Sequence, residues 1–488
     1  MSDPSGVVFP LDPASGRRST TGTGRAVVAD ALRAVDPVGA ASAQRETNWR
    51  QGYLPHFRRL VEAGLTSPES ARTIAHGGLD ALTSRMRWVA PGGEERPLDD
   101  AFGPAGGETS LGSETVRGRG RPDRTLTIPY AGRRLAGDEL RRQLDRWVEA
   151  GVVEPSCAAA VGLVVDNPDW LDLSDRTVVV LGAAAEMGPL RSLLRWGADV
   201  AAVDLPRKEL WDRLFTDTAH LAGSVTVPVR PGDGPLVERA GGDLVHDVGA
   251  VARWVAALEG PLVLGNYVYA DGETNVRVST AVDALTRHVV GAKGRDDVAL
   301  AFLATPTDVF AVPGSAVARS VDSYAHRRIS KVLRVPLRTV SGGRLLRRNY
   351  VPGEDPGIND SVVLQQGPNY LLAKRLQRWR ATAYRHDGGL VSFKVAPPTR
   401  TRSVVKNRAL AAAYAGAHRF GIEVFEPGTA NTLMAALLVH DLRTGAPARP
   451  APWEDEAHAA AHGGLWTTAY DPRSALGLAA LLGLASAR

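Results

Sequence analysis

The chain holds a single cysteine, Cys157, in 488 residues. One thiol excludes an intramolecular disulfide framework and any zinc cluster built on cysteine, and it fits a reducing compartment. Long apolar runs are missing too. The best of them, "ALGLAALLGLA" near the C-terminal end, falls short of the roughly 20 residues that span a bilayer. The first residues show no charged segment leading into an apolar one, so no secretory leader is expected. The expectation is a cytoplasmic protein, with peripheral contact to a membrane left open. His56, His76, His246 and His288 stand singly, without the paired spacing of metal ligands, and no metal is expected. A Walker loop, a G-x-S-x-G elbow and an H-E-x-x-H pair are all absent from the sequence.

Lysine is the other scarcity: six lysines stand among 58 basic side chains, so arginine is the default cation. The net charge is +5, unevenly spread. Residues 309–350 carry eight arginines and one lysine against a single acid, Asp322, and the rest of the chain is slightly acidic. Nucleic-acid binding is not expected, because no aromatic-interleaved basic motif or zinc-finger spacing accompanies the charge. The plain reading of the segment is a solvated charged face. Its functional readings are a lid over an anionic substrate, a dock for an acidic partner, or contact with acidic lipid headgroups.

What is present divides the chain. Residues 1–25, rich in Ser, Gly and Thr, read as a flexible tail. Residues 26–165 read as mostly helical: Trp49, Tyr53, Phe57, Leu60 and Val61 fall on one stripe, and Ser67 with Pro68 opens a second helix. Residues 91–124 hold many turn formers and few large apolar residues, so a long loop is expected there. From about 170 to 440 the pattern alternates strand and helix, with buried-looking runs at "TVVVLGA", "ADVAAVD", 260–268, 297–305 and 390–397. That alternation predicts an α/β fold with a doubly wound, Rossmann-like parallel sheet. Residues 308–362 form an insertion with an amphipathic helix, and 441–488 a helical tail.

The first strand runs into "LGAAAEMGPL", where Gly182 and Gly188 flank small residues that keep the turn narrow. Such a turn lets the backbone approach a pyrophosphate, with Ala183, Glu186 and Met187 supplying its middle. Asp204 ends the second strand, 22 residues after Gly182, where an acid accepts ribose hydroxyls and favours NAD. Arg207 and Lys208 just beyond keep NADP open. Glu186 is the discordant residue, because a carboxylate repels a pyrophosphate unless it turns away or pairs with a cation.

Tyr370 and Lys374 lie four apart on an expected helix, hence on one face. Lysine where the chain normally uses arginine matters chemically, since a compact ammonium can sit beside a phenol and lower its pKa. With the glycine turn, this pair resembles the short-chain dehydrogenase/reductase superfamily. The resemblance covers about 176–440. It implies that Tyr370 is the general acid/base and that Lys374 tunes it and holds the nicotinamide ribose. It further implies that Thr305 or Thr307 polarises the same substrate oxygen and that Asn275 holds a relay water. Asn266 stands for the strand-end asparagine, and Pro397 and Thr399 for the segment folding over the nicotinamide. Tyr324 is a rival for the tyrosine, but Arg328 follows it where the lysine belongs.

The expected function is therefore an NAD- or NADP-dependent oxidoreductase of short-chain type, interconverting a carbonyl and an alcohol on an anionic substrate, with a homo-oligomer left open. Two alternatives stand beside it. One is a non-catalytic Rossmann-like scaffold or assembly protein; the other is an epimerase or dehydratase on a nucleotide-linked substrate.

Overall fold

The apolar run Thr177–Leu181 is buried on both faces: Val178 and Val180 enter one hydrophobic core, Val179 and Leu181 the other. A strand covered on both sides has no need of alternating polarity, which is why the run is continuous. The computed structural model describes residues 5–13, 15–106, 110–326, 328–363 and 366–486.

The central sheet has seven strands: β1 (Gly112–Arg117), β2 (Thr177–Leu181), β3 (Asp199–Val203), β4 (Ser224–Val229), β5 (Leu262–Asn266), β6 (Val298–Ala304) and β7 (Val391–Val395). Their spatial order is β7-β6-β5-β2-β3-β4-β1. Six run parallel, and β1 closes one edge antiparallel to β4. The parallel strands thus wind outward from β2 in both directions, an α/β arrangement compatible with a Rossmann-like fold. Winding reverses between β2 and β5, and the ends of those two strands border the crevice where such sheets place their ligands.

The helices of residues 20–85 share a core with one sheet face. Val27, Phe57 and Leu82 belong to the same buried cluster as Val179, Leu285 and Leu376. Contact is close where helix Pro68–Arg85 meets helix Gly367–His386: a Cβ on Gly78 would lie 2.3 Å from the Trp379 ring. Ser67 caps the first of these helices by accepting from Ser70 N–H at 3.0 Å. Gly151, with φ +68°, ends helix Gly137–Ala150. Among the described residues, no helix is long and apolar enough to cross a membrane.

Several segments differ from the expectations. The stretch read as a flexible tail contains strand Gly6–Val8, paired with Arg87–Val89, and Val7, Val8 and Phe9 are buried. Residues 1–4 and 14 lie outside the described set. Ser19 then caps helix Thr20–Arg33, accepting from Gly22 N–H at 2.9 Å. In the expected loop 91–124, "GSETVR" is the edge strand β1, which escapes a hydrophobicity reading because it is largely exposed. Strand β4, "SVTVPV", was also not anticipated, its Pro228 arguing against a strand. The expected C-terminal tail is no appendage: Ala459, Ala460, Ala461, His462 and Trp466 are fully buried. In the insertion, Val309–Val312 pairs antiparallel with Gly357–Asp360, and the chain is helical on both sides of position 327.

Candidate functional site

The crevice between β2 and β5 is built by a close approach of backbone. Tyr267 N–H donates to Leu181 O at 2.9 Å, and Gly182 turns away with φ +85°. A Cβ on Gly182 would lie 3.0 Å from the Tyr267 carbonyl, so the glycine is required by its neighbour as well as by its dihedral. Gly182 and Ala183 N–H both donate to Val203 O, at 2.9 and 3.2 Å. Ala184 N–H donates to Asp204 Oδ2 at 2.8 Å, and Leu205 N–H to Asp204 Oδ1 at 2.7 Å. Asp204 is therefore turned into the glycine turn; burial raises its carboxyl pKa, opposed by those two amides. Each oxygen keeps a second lone pair for a hydroxyl. Lys208 is engaged by Glu238 at 2.8 Å.

Glu186 does not stand alone over the turn. Its Oε1 is 3.1 Å from Arg402 Nε, and its Oε2 accepts from Arg402 N–H at 2.7 Å. Arg402 belongs to the segment after β7, so this pair ties that segment to the glycine turn. Asn431 Nδ2 donates to the Glu186 carbonyl at 3.3 Å. Among the described residues, the N–H groups of Glu186 and Met187 donate to no acceptor. Gly188 N–H closes the turn onto Ala185 O at 3.0 Å. A dinucleotide thus fits this chain in part: two free amides and a carboxylate drawn off by an arginine favour it, while the other turn amides are already spent.

The second group of side chains gathers at the ends of β5 and β6. The Tyr370 phenol lies near the hydroxyl of Thr305, outside hydrogen-bonding distance but close enough for Thr305 to act on its ionisation. Thr305 Oγ1 and Thr307 Oγ1 are 2.8 Å apart, and Gln366 Nε2 donates to Thr307 Oγ1 at 2.7 Å. The Tyr370 ring meets that of Tyr269 edge-on at 6.2 Å. Burial pushes the Tyr370 phenol well above its ordinary pKa, and Thr305 opposes that rise. One turn along the helix, Lys374 Nζ donates to Leu303 O at 3.2 Å and Gln377 Oε1 at 3.3 Å. Burial lowers the Lys374 pKa to about 8, with Asp308 opposing. Gln377 Nε2 then reaches Asn266 Oδ1 at 3.4 Å. Gln366 and Gln377 were not anticipated, although one lies four residues before Tyr370 and the other three after Lys374, both same-face spacings.

Tyr370, Thr305 and Thr307 thus lie together in one group, and Lys374 and Asn266 form a second, joined through Gln377. Asn275 stands apart: its Oδ1 accepts from Ala270 N–H at 3.3 Å, and its Nδ2 is buried without a partner. Thr399 Oγ1 donates to Pro397 O at 2.8 Å, bracing the segment that leads to Arg402. The rival Tyr324 is enclosed elsewhere, with Arg334 and Arg348 guanidinium carbons 4.0 and 4.8 Å from its ring centre. No protein-family model matches this chain, and comparison with curated proteins finds no relative.

Proposed function

We propose that the chain is an NAD(P)-dependent oxidoreductase of short-chain type, interconverting a carbonyl and an alcohol. The observation that carries this reading is the nearness of Tyr370 to Thr305 at the end of β6, with Lys374 one helical turn on. Two hydroxyls that can donate to one substrate oxygen suit a carbonyl whose oxygen gains negative charge.

When bound, the dinucleotide supplies or accepts the hydride. In reduction, Tyr370 gives its phenolic proton to the substrate oxygen, and Thr305 donates a hydrogen bond to the same atom. The remaining phenolate is costly in a buried setting, and the Lys374 ammonium offsets part of that cost. In oxidation the phenolate takes the alcohol proton instead. Glu186 and Met187 N–H are the groups available to pyrophosphate oxygens, and Asp204 to ribose hydroxyls.

The test is thermal denaturation with NAD, NADH, NADP and NADPH, followed by a carbonyl panel with whichever dinucleotide shifts the midpoint. A ligand at 100 times its dissociation constant adds about 2.7 kcal/mol of stability. Stabilisation with turnover lost in Tyr370→Phe supports the reading. No shift with any dinucleotide favours a scaffold instead, a role for which the spent turn amides are the observation.

A further inference from the structure

A pocket with about 670 Å³ of empty space, open solvent at its mouth included, is bordered by Thr307. The Thr307 hydroxyl is 2.8 Å from that of Thr305. Tyr414 forms another part of the wall. Most of the remaining wall is hydrocarbon. Leu410 and Ala413 come from helix Arg408–Gly416, Leu476 and Ala479 from helix Pro472–Ser486, and Val362 and Ile422 from connecting segments. The two helices press together without side chains between them: a Cβ on Gly416 would fall 2.0 Å from Ala479 O. The wall is therefore backed by a tight helix pair rather than by a loop.

Charge is balanced around this space. Arg473 is the charged side chain in the lining, and its Nη2 is 2.6 Å from Asp360 Oδ2. Several arginines of the basic insertion are already engaged by partners beside the wall, where the Tyr324 ring lies 5.7 Å from that of Tyr470. Arg334 and Arg348 stack on Tyr324, Arg338 donates to its hydroxyl, and Arg347 pairs with Asp471. Among the described lining residues the one cation is thus already paired, so an anion entering the pocket would lose its water to a largely hydrocarbon wall, which is unfavourable.

We infer that this pocket holds the body of the substrate, and that the substrate is a neutral, largely hydrocarbon molecule with one carbonyl or alcohol oxygen presented to Tyr370 and Thr305. The inference rests on the oxidoreductase reading and replaces the anionic substrate expected from the sequence charge.

The test uses the full chain and the unbranched 2-alkanones from four to twelve carbons, each beside its ω-carboxylated counterpart. Two readouts run in parallel: kcat/KM with NADH or NADPH, and displacement of the neutral fluorophore N-phenyl-1-naphthylamine. Each added methylene should tighten binding about fourfold until the pocket is full, and the carboxylated series should bind more weakly. Ala413→Phe should move the optimum to shorter chains. Leu410→Glu, at a half-buried position that tolerates a polar side chain, should weaken fluorophore binding even if Ala413→Phe does not fold. Tyr370→Phe should lose turnover while still binding the fluorophore. Binding that ignores chain length, that survives in Leu410→Glu, or that favours the carboxylates overturns the inference. Displacement ordered by chain length but without turnover upholds the pocket and removes the oxidoreductase reading instead.

Discussion

Glu186 and Arg402, 216 positions apart, are joined twice: side chain to side chain at 3.1 Å, and Arg402 N–H to Glu186 Oε2 at 2.7 Å. The pair turns the discordant acid of the glycine turn into an anchor for the segment after β7. Arg402 is largely exposed, so the ion pair itself contributes little, about 0–1 kcal/mol. Glu186→Gln should therefore leave stability to urea within about 1 kcal/mol of the parent chain. Dinucleotide affinity, read by calorimetric titration, should rise several-fold, because a negative charge beside the pyrophosphate is gone. A fall in affinity would mean that the anchored segment matters more than the repulsion.

Thr305 and Thr307 are not equivalent. Thr305 is the one that lies near Tyr370, whereas Thr307 accepts from Gln366. Thr305→Val should lower kcat by about tenfold or more, and Thr307→Val by much less. Tyr370→Phe keeps the ring against Tyr269 and removes only the hydroxyl, so the fold should stand while kcat falls about 10²- to 10⁴-fold, the usual worth of a general acid. Steady-state kinetics on the three variants decides. Equal losses in both threonine variants would place the substrate oxygen away from Thr305.

Much of this site was legible from residue types at fixed spacing. The Tyr370–Lys374 helix, the glycine turn and the buried runs of β2, β3, β5, β6 and β7 all announce themselves by periodicity or composition. Other parts stayed hidden for physical reasons. Strand β1 is exposed and polar, so it carries no hydrophobic signal and is recognised only through its pairing with β4. The apolar pocket is assembled from residues 307 to 479, a contact set that no local pattern encodes. The basic insertion suggested an anionic ligand, yet several of its arginines surround one tyrosine, Tyr324, because guanidinium groups stack well on aromatic faces.

Gly182 offers a test independent of any reaction. Its φ is +85°, and a Cβ would sit 3.0 Å from the Tyr267 carbonyl. Left-handed backbone costs a non-glycine residue about 1–2 kcal/mol, and the crowding against rigid backbone adds to that. Gly182→Ala should destabilise the chain by about 2 kcal/mol or more in urea denaturation. An unchanged midpoint would show that the β2–β5 junction is looser than the contact implies.

Lys374 predicts a pH dependence with a definite sign. Burial lowers its pKa from 10.5 to about 8 in the folded chain. Between those values the unfolded chain binds more protons at this site than the folded one, so stability from Lys374 rises with pH through that window. Below pH 8 both states hold the proton, and the cost of burying the ammonium is felt in full. Relative to Lys374→Met, the parent chain should gain on the order of 2 kcal/mol between pH 7 and pH 9.5, measured as the difference between two urea curves at each pH. Turnover should respond oppositely. On the role proposed for Lys374, its neutral amine above pH 8 no longer favours a Tyr370 phenolate, so kcat should decline there. Parallel stability curves for the two chains across the window would show that the Lys374 ammonium stays hydrated and would remove the basis for that decline.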